Sequence, residues 1–336
     1  MAQNRVRIAD VADALGLSTA TVSKVIHGKT EKISDETVKR VQQELERSGY
    51  IPNMAGILLA RNNSRIIGVV VNDNEKYEGR VLEDGFVMSS LNALSHEVNE
   101  KGYFLMIKTT SDIREIPVFA SMWNMDGLIL MGFCEADYEK LRNQMRISFV
   151  VYDGYFEKCS KVVNLVIDHY DGGCQAGKYL KELGHKKALC IADNFICMDK
   201  ERIEGFIESF EPGETLRWEI PKTEKERMFF YEDKYRELIR NNVTAVFAVS
   251  DFYALEFMRF LQGKGIQIPK DIKIIGFDDN MASRESNPAL TTIHQEAPLR
   301  AKTAIRCLEA MRDGAECETE IVLPVELIKR ESTRKL

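Results

Sequence analysis

Long apolar runs are absent from this chain of 336 residues, and no stretch approaches the roughly 18 apolar residues of a membrane span. Its first residues, MAQNRVRIADVADALG, lack the apolar core and cleavage site of a secretory signal. No membrane partner and a cytoplasmic location are therefore expected. Paired cysteines are missing as well. The seven cysteines are an odd number with no C-x-x-C, which leaves no zinc-site spacing and reads as reduced thiols. The histidines, at 27, 96, 169, 185 and 294, are scattered without metal-ligand spacing. Enzyme signatures are lacking too. No G-x-G-x-x-G follows the first strand, and neither G-x-x-x-x-G-K-[ST] nor a G-x-S-x-G elbow occurs. No catalytic residue, metal or cofactor is expected, and the chain does not read as an enzyme.

What is present is the balance of a soluble protein, 44% hydrophobic and 29% charged, in a chain suited to two or three domains. The net charge of -6 is unevenly spread. Residues 1–65 carry ten Lys/Arg against seven Asp/Glu, so that segment is +3 and the remainder is -9. Nucleic acid is thus a partner for the N-terminus and not for the body.

Three short helical patterns open the chain. Ile8, Val11, Ala12 and Leu15 form one apolar stripe at i, i+3, i+4, i+7, and Gly16 ends that helix. Ser18 is placed to cap a second helix, Thr19–His27, with Val22, Val25 and Ile26 inward and Gly28 closing it. Ser34 caps a third, with Val38, Val41 and Leu45 inward, and Thr37 stands where a Glu would complete a capping box. Two helices joined by a Gly-containing turn, with a third to complete the core, form a helix-turn-helix. The second helix turns Thr19, Ala20, Thr21, Ser23, Lys24 and His27 outward, short polar groups and donors suited to base edges and phosphates. Spacing alone leaves a bundle with no nucleic-acid ligand open.

From Ile66 the pattern changes to alternating strands and helices. IIGVVV (66–71) is followed by YFLMIKT, DGLILMG, ISFVVYD, VVNLVID, KALCIAD, AVFAVSD and IKIIGFD, the series of a doubly wound parallel α/β fold. Several strands end in Asn72, Asp153, Asp168, Asp193, Asp251 or Asp278, and ligands of open α/β sheets bind outside the carboxyl ends of strands. Such acids also cap helices, which leaves Asp251 and Asp278 with two readings. Asp168 and Asp171 fit the turn before Gly172–Gly173 better than a ligand site. Trp218, Phe229, Phe230 and Tyr231 offer rings for ligand stacking or for core packing.

The run IADVADALGLSTATVSKVIHG, then SDETVKRV and SGYIPN, resembles the DNA-binding headpiece of the LacI/GalR repressor family. The resemblance implies that Thr19, Ala20 and Lys24 read bases in the major groove, with Thr21 and Ser23 on phosphate. It also implies a hinge beginning at Pro52 and Asn53, whose Leu59 wedges into the minor groove. Leu59 can equally be interdomain packing. Gly56 departs from the family's usual Ala, at about 1 kcal/mol to a helix interior.

The body resembles the same family, and more distantly periplasmic sugar-binding proteins, through DHYDGGCQAGKYLKELGHKK, ERIEGF, AVSDFYALEFMRFL, IPKDIKIIGFDDN and PALTTIHQ. The implied architecture is an all-α headpiece (1–51), a hinge (52–65) and two doubly wound parallel lobes (66–336) crossed three times by the chain. The N-lobe would hold about 66–164 and 294–322, the C-lobe about 165–293 and 323–336. Effector would sit between them, gripped by Arg202 and Asp278 and lined by Asp153, Ser250 and Phe252. The first ligand loop departs from the family: NDNEKYEGRVLEDGFVMSS is longer than the usual Asn-Pro-Phe-Phe turn and leaves Phe86 as the aromatic wall. The expectation is a homodimeric regulator, a repressor of pseudo-palindromic operator DNA, controlled by a small carbohydrate-like effector. The alternative is the same fold answering to a partner protein or a non-sugar ligand.

Overall fold

The computed structural model describes residues 6–51, 64–133, 141, 144–145, 147–154 and 162–335. Two compact units divide the chain, Met1–Ser64 and Arg65–Leu336. The first is built on α1 (Ile8–Leu15), α2 (Thr19–Ile26) and α3 (Asp35–Ser48). Gly16, at φ 65°, turns the chain out of α1 in a left-handed conformation that costs glycine little. The Ser18 hydroxyl accepts from the Thr21 N–H at 3.1 Å and that of Ser34 from Thr37 at 3.3 Å, satisfying donors that a helix start leaves bare. Val11, Ala12, Val22, Val25 and Val41 form the core, with Ile8, Leu15, Val38 and Leu45 packed on it. Helix α2 stops at Ile26, and His27 takes the C-cap expected one residue later.

The second unit contains two six-stranded sheets. One orders β11-β5-β4-β3-β1-β2, from β1 (Ile66–Val71), β2 (Phe104–Thr109), β3 (Gly127–Met131), β4 (Phe149–Tyr152), β5 (Val162–Ile167) and β11 (Glu320–Leu323). The other orders β12-β10-β9-β8-β6-β7, from β6 (Lys187–Ala192), β7 (Glu214–Glu219), β8 (Ala245–Ala248), β9 (Lys273–Asp278), β10 (Thr291–Gln295) and β12 (Val325–Ile328). Among the described residues every strand pairing is parallel except β10 with β12. Helices cover both faces, so the central strands β1, β3, β4 and β5 are buried at every position and apolar but for Asn164 in β5. Edge strands β2 and β7 alternate exposed and covered residues instead.

The chain passes between the sheets after β5, after β10 and between β11 and β12. The first crossing falls after Ile167 and the second after Gln295, so the N-lobe keeps its strand three residues past 164 and the C-lobe holds all of β10. Strand pairing sets each boundary: β11 pairs with β5 through Ile167, keeping that strand in the N-lobe sheet, and β10 pairs with β12 through Gln295, keeping it in the C-lobe sheet. No described helix is long and apolar enough to cross a membrane.

Inside the C-lobe, Arg227 is fully buried and grips Glu256 with two bonds of 2.7 and 2.8 Å, while the Tyr231 hydroxyl adds a third at 3.1 Å. Trp218 and Tyr231 pack edge-on and tilted against Phe257 beside it. Those aromatics serve the core, and Phe229 is exposed. Glu256→Ala strands the guanidinium in an apolar interior. We expect a loss of about 3–5 kcal/mol, read as a lower urea midpoint at unchanged slope.

Candidate functional site

On the headpiece, Thr19, Ala20 and Lys24 of α2 are exposed, and Thr21, Ser23 and His27 are partly exposed. Val22 and Val25 pin the opposite face into the core. The Thr21 hydroxyl shares a 2.9 Å hydrogen bond with Ser18, so it is held at the helix start rather than swinging free. Asn53, Gly56 and Leu59 lie outside the described residues.

In the body, all six candidate effector residues, Phe86, Asp153, Arg202, Ser250, Phe252 and Asp278, line one cavity of about 170 Å³ between the lobes. Behind it runs a continuous polar chain. The Gln295 amide donates to Asp278 at 2.8 Å and accepts from Arg300 at 3.1 Å. Arg300 meets Asp153 at 2.7 Å, His169 contacts the same carboxylate at 2.9 Å, and Arg202 Nε donates to His169 Nδ1 at 3.1 Å. Arg202 also donates to the Val249 carbonyl at 2.5 Å and lies 3.7 Å over the Phe277 ring. A guanidinium can only donate, so His169 Nδ1 accepts and its proton sits on Nε2, facing Asp153. Burial keeps that imidazole neutral, its pKa lowered to about 4. For Asp153 burial works the other way, yet Arg300 and His169 hold it well below the usual carboxylate range. Sequence-distant groups thus fix the three ionic candidates in one network that joins both lobes.

Arg202 owes its position to glycine. It sits on the helix Cys197–Phe210, which packs against the helix His169–Glu182 after the first crossing. A Cβ on Gly173 would overlap the Arg202 carbonyl oxygen, and one on Gly205 the Tyr170 carbonyl oxygen. The bare backbones let the two helices touch, which brings His169 and Arg202 within bonding range. Asp153 and Asp278 leave their strands at φ 55° and 124°, sparsely populated for non-glycine residues and costing about 1–3 kcal/mol each.

Not every strand-end acid reaches the cavity. Asn72 and Asp193 line it beside Asp153 and Asp278. Asp168 instead caps the His169–Glu182 helix, accepting from the Asp171 N–H at 2.8 Å. Asp251 is buried behind the sheet end, taking the Thr292 hydroxyl at 2.6 Å and the Asn280 N–H at 3.0 Å. Ser250 combines both roles, lining the cavity and accepting from the Tyr253 N–H at 3.4 Å.

The long first loop forms two short 3-10 turns, Glu75–Tyr77 and Val81–Glu83, and Asp84 then caps the helix Gly85–Glu100. Lys76 and Tyr77 from this loop line the cavity, and Lys222 across the mouth lies 3.7 Å from Glu75. Sequence reasoning gave Lys76, Tyr152, Asp199, Tyr253, Gln295 and Arg300 no role. The available signal was their position beside the quoted motifs: Gln295 closes PALTTIHQ and Tyr152 precedes Asp153. A wider groove of about 1230 Å³ runs along the Gly85–Glu100 and Asp251–Gly263 helices, but of the candidates only Phe252 faces it.

Residues 7–53 match the model of bacterial regulatory proteins, lacI family, and residues 178–333 that of a periplasmic binding protein-like domain. The HTH-type transcriptional repressor PurR of Pasteurella multocida (strain Pm70) is 31% identical, covering 97% of this chain and 98% of the relative. The lac repressor dimer bound to operator and the anti-inducer ONPF superposes with a TM-score of 0.83 at 23% identity, covering 98% and 99% of the two chains. The CelR–cellobiose complex does so with a TM-score of 0.70 at 23% identity, covering 98% and 100%. A helix-turn-helix, two parallel α/β lobes and this end-to-end similarity give one conclusion: the chain belongs to the LacI family of bacterial regulatory proteins and is a DNA-binding transcription regulator.

Proposed function

We propose that the protein is a homodimeric repressor, acting in the cytoplasm, whose affinity for a pseudo-palindromic operator is set by a small sugar or sugar derivative held between the lobes. The observation that carries this is the polar chain from Asp278 through Arg300 and Asp153 to Arg202, which closes the back of a cavity made by both lobes. A ligand there touches both lobes at once, so its binding energy can favour one lobe arrangement over another. In fold the protein is similar to a regulator solved with cellobiose, which supports a carbohydrate. A dimer is supported by apolar side chains left bare on the sheet edge and the neighbouring helix: Phe104, Ile107, Val118, Met122 and Trp123. Exposed edge strands of this kind are normally covered.

Two headpieces would place Thr19, Ala20 and Lys24 against base edges in successive major grooves, with Thr21, Ser23 and His27 near phosphates. Asn53 and Leu59 would enter the central minor groove. The test uses a duplex selected from a random library by the full-length protein. Lys24→Ala should weaken binding to it about 10- to 100-fold, the loss of one base or phosphate contact of roughly 1–3 kcal/mol. Unchanged affinity, measured by fluorescence anisotropy at fixed salt, sinks the recognition-helix assignment.

A further inference from the structure

Resting on the reading of the inter-lobe cavity as the effector site, the lining itself restricts the chemistry of the effector. Two residues lining the cavity, Tyr152 from the N-lobe and Tyr253 from the C-lobe, carry buried phenol hydroxyls without a hydrogen-bond partner. The two residues are 2% and 1% exposed, so bulk water does not supply the missing bond and a ligand reaching these oxygens would gain one. The volume, about 170 Å³, lies below the roughly 300 Å³ at which sites for drug-sized ligands begin, which suits one sugar ring better than two.

Charge narrows the class further. Asp84, Asp193, Asp199 and Asp278 line the cavity against Lys76 and Arg202, while Asp153 is answered from behind by Arg300. Both cations are already engaged. Arg202 is spent on His169 and Val249, and Lys76 lies 5.1 and 5.8 Å from the ring centres of Tyr77 and Tyr253. Although burial opposes its charge, the Lys76 amine is held above its ordinary value, with the Asp193 and Asp199 carboxylates favouring the ammonium form. Negative charge remains in excess after that. Burial pushes Asp199 up to about 6 and raises Asp84 and Asp278. Four carboxyl groups against two cations leave an arriving phosphate or carboxylate facing mostly groups of its own kind, and a ligand ammonium facing partners.

We infer that the effector is a single-ring polyol carrying an ammonium group, the amino-sugar class, with its hydroxyls on Tyr152 and Tyr253 and its amine among the surplus carboxylates. Isothermal titration of the full-length protein against glucosamine, galactosamine and mannosamine, the parent hexoses, their 6-phosphates and the matching uronic acids tests this. At least one amino sugar should bind ten times or more tighter than its parent hexose, with the phosphate and uronate tenfold or more weaker still. Asp278→Asn should bring the amino sugar and the hexose to within about threefold of each other. Three results overturn the inference: equal affinity for amine and hexose, a phosphate or uronate as the tightest ligand, or no binding by any amino sugar. Arg202→Ala separates this from the cleft reading beneath it. An anionic ligand lost in that variant leaves the cleft standing and removes only the amine, whereas any ligand that binds the variant normally places the site elsewhere and removes both.

Discussion

Gly205→Ala should destabilise the body by about 3 kcal/mol or more, although alanine is the better helix former by about 1 kcal/mol. The added methyl has nowhere to go: it falls on the Tyr170 carbonyl oxygen, a backbone atom that cannot rotate aside, and crowds Cys174 N as well. Overpacking in ordinary cores costs about 1–3 kcal/mol, and a backbone obstacle belongs at or beyond the top of that range. The helices must separate, and Arg202, one turn before Gly205, moves with them. Effector response should therefore fall together with stability. Gly263→Ala supplies the opposite sign. That residue ends an exposed helix turn with nothing within 4 Å of a new Cβ, so the change should be neutral or stabilising by up to about 1 kcal/mol. Urea unfolding of the two variants side by side decides the matter, and equal midpoints would mean that the glycine contact does not hold these helices together.

Arg202→Ala should abolish effector response while leaving operator binding by the headpiece measurable. The guanidinium is the member of the polar chain that touches the cavity, His169 and the Val249 carbonyl at once. Its removal leaves His169 Nδ1 without a donor and deprives Asp199 and Asp278 of a compensating charge. Buried groups so stranded cost the body about 1–3 kcal/mol each, so the wall of the cavity that Arg202 holds should loosen and the effector-induced response be lost with it. Arg202→Lys should recover little, because a point charge on a flexible stem cannot reproduce a fork that bonds in two directions and stacks on Phe277. A ligand-induced rise in melting temperature measures both variants, and a normal rise in Arg202→Ala would move the site out of this cleft.

The headpiece was legible almost residue by residue, because caps and apolar spacing are local: Ser18, Ser34 and Gly16 announce their roles within four positions of themselves. The six cleft candidates were legible only through family motifs, and they do share a cavity. What remained hidden is the network that holds them. Arg300 stands in an amphipathic helix, where a lone arginine reads as surface. Its burial depends on Asp153 and Leu165, well over a hundred residues earlier, brought beside it by the lobe crossings. Strand-end aspartates look alike in sequence, yet Asp278 faces the cavity while Asp168 caps a helix and Asp251 answers Thr292. Sheet position makes the difference, and spacing does not encode it. Tyr152 and Tyr253 carry no sequence signal of their own and are buried like core residues; only the unmet hydroxyls set them apart.

The placement of β11 has a consequence for how the protein is made. The N-lobe sheet takes its outermost strand from Glu320–Leu323, and one of its covering helices is Ala297–Arg312, packed on Gly85–Glu100 and on β3, β4 and β5. Translation delivers β5, with its edge open, 156 residues before Leu323 emerges. At about 5–20 residues per second the unfinished edge stands bare for roughly 8–30 s. A nascent chain with an apolar, unpaired strand for that long is a natural client for chaperones, and slow codons after β5 should lower the soluble yield while leaving the finished protein unchanged.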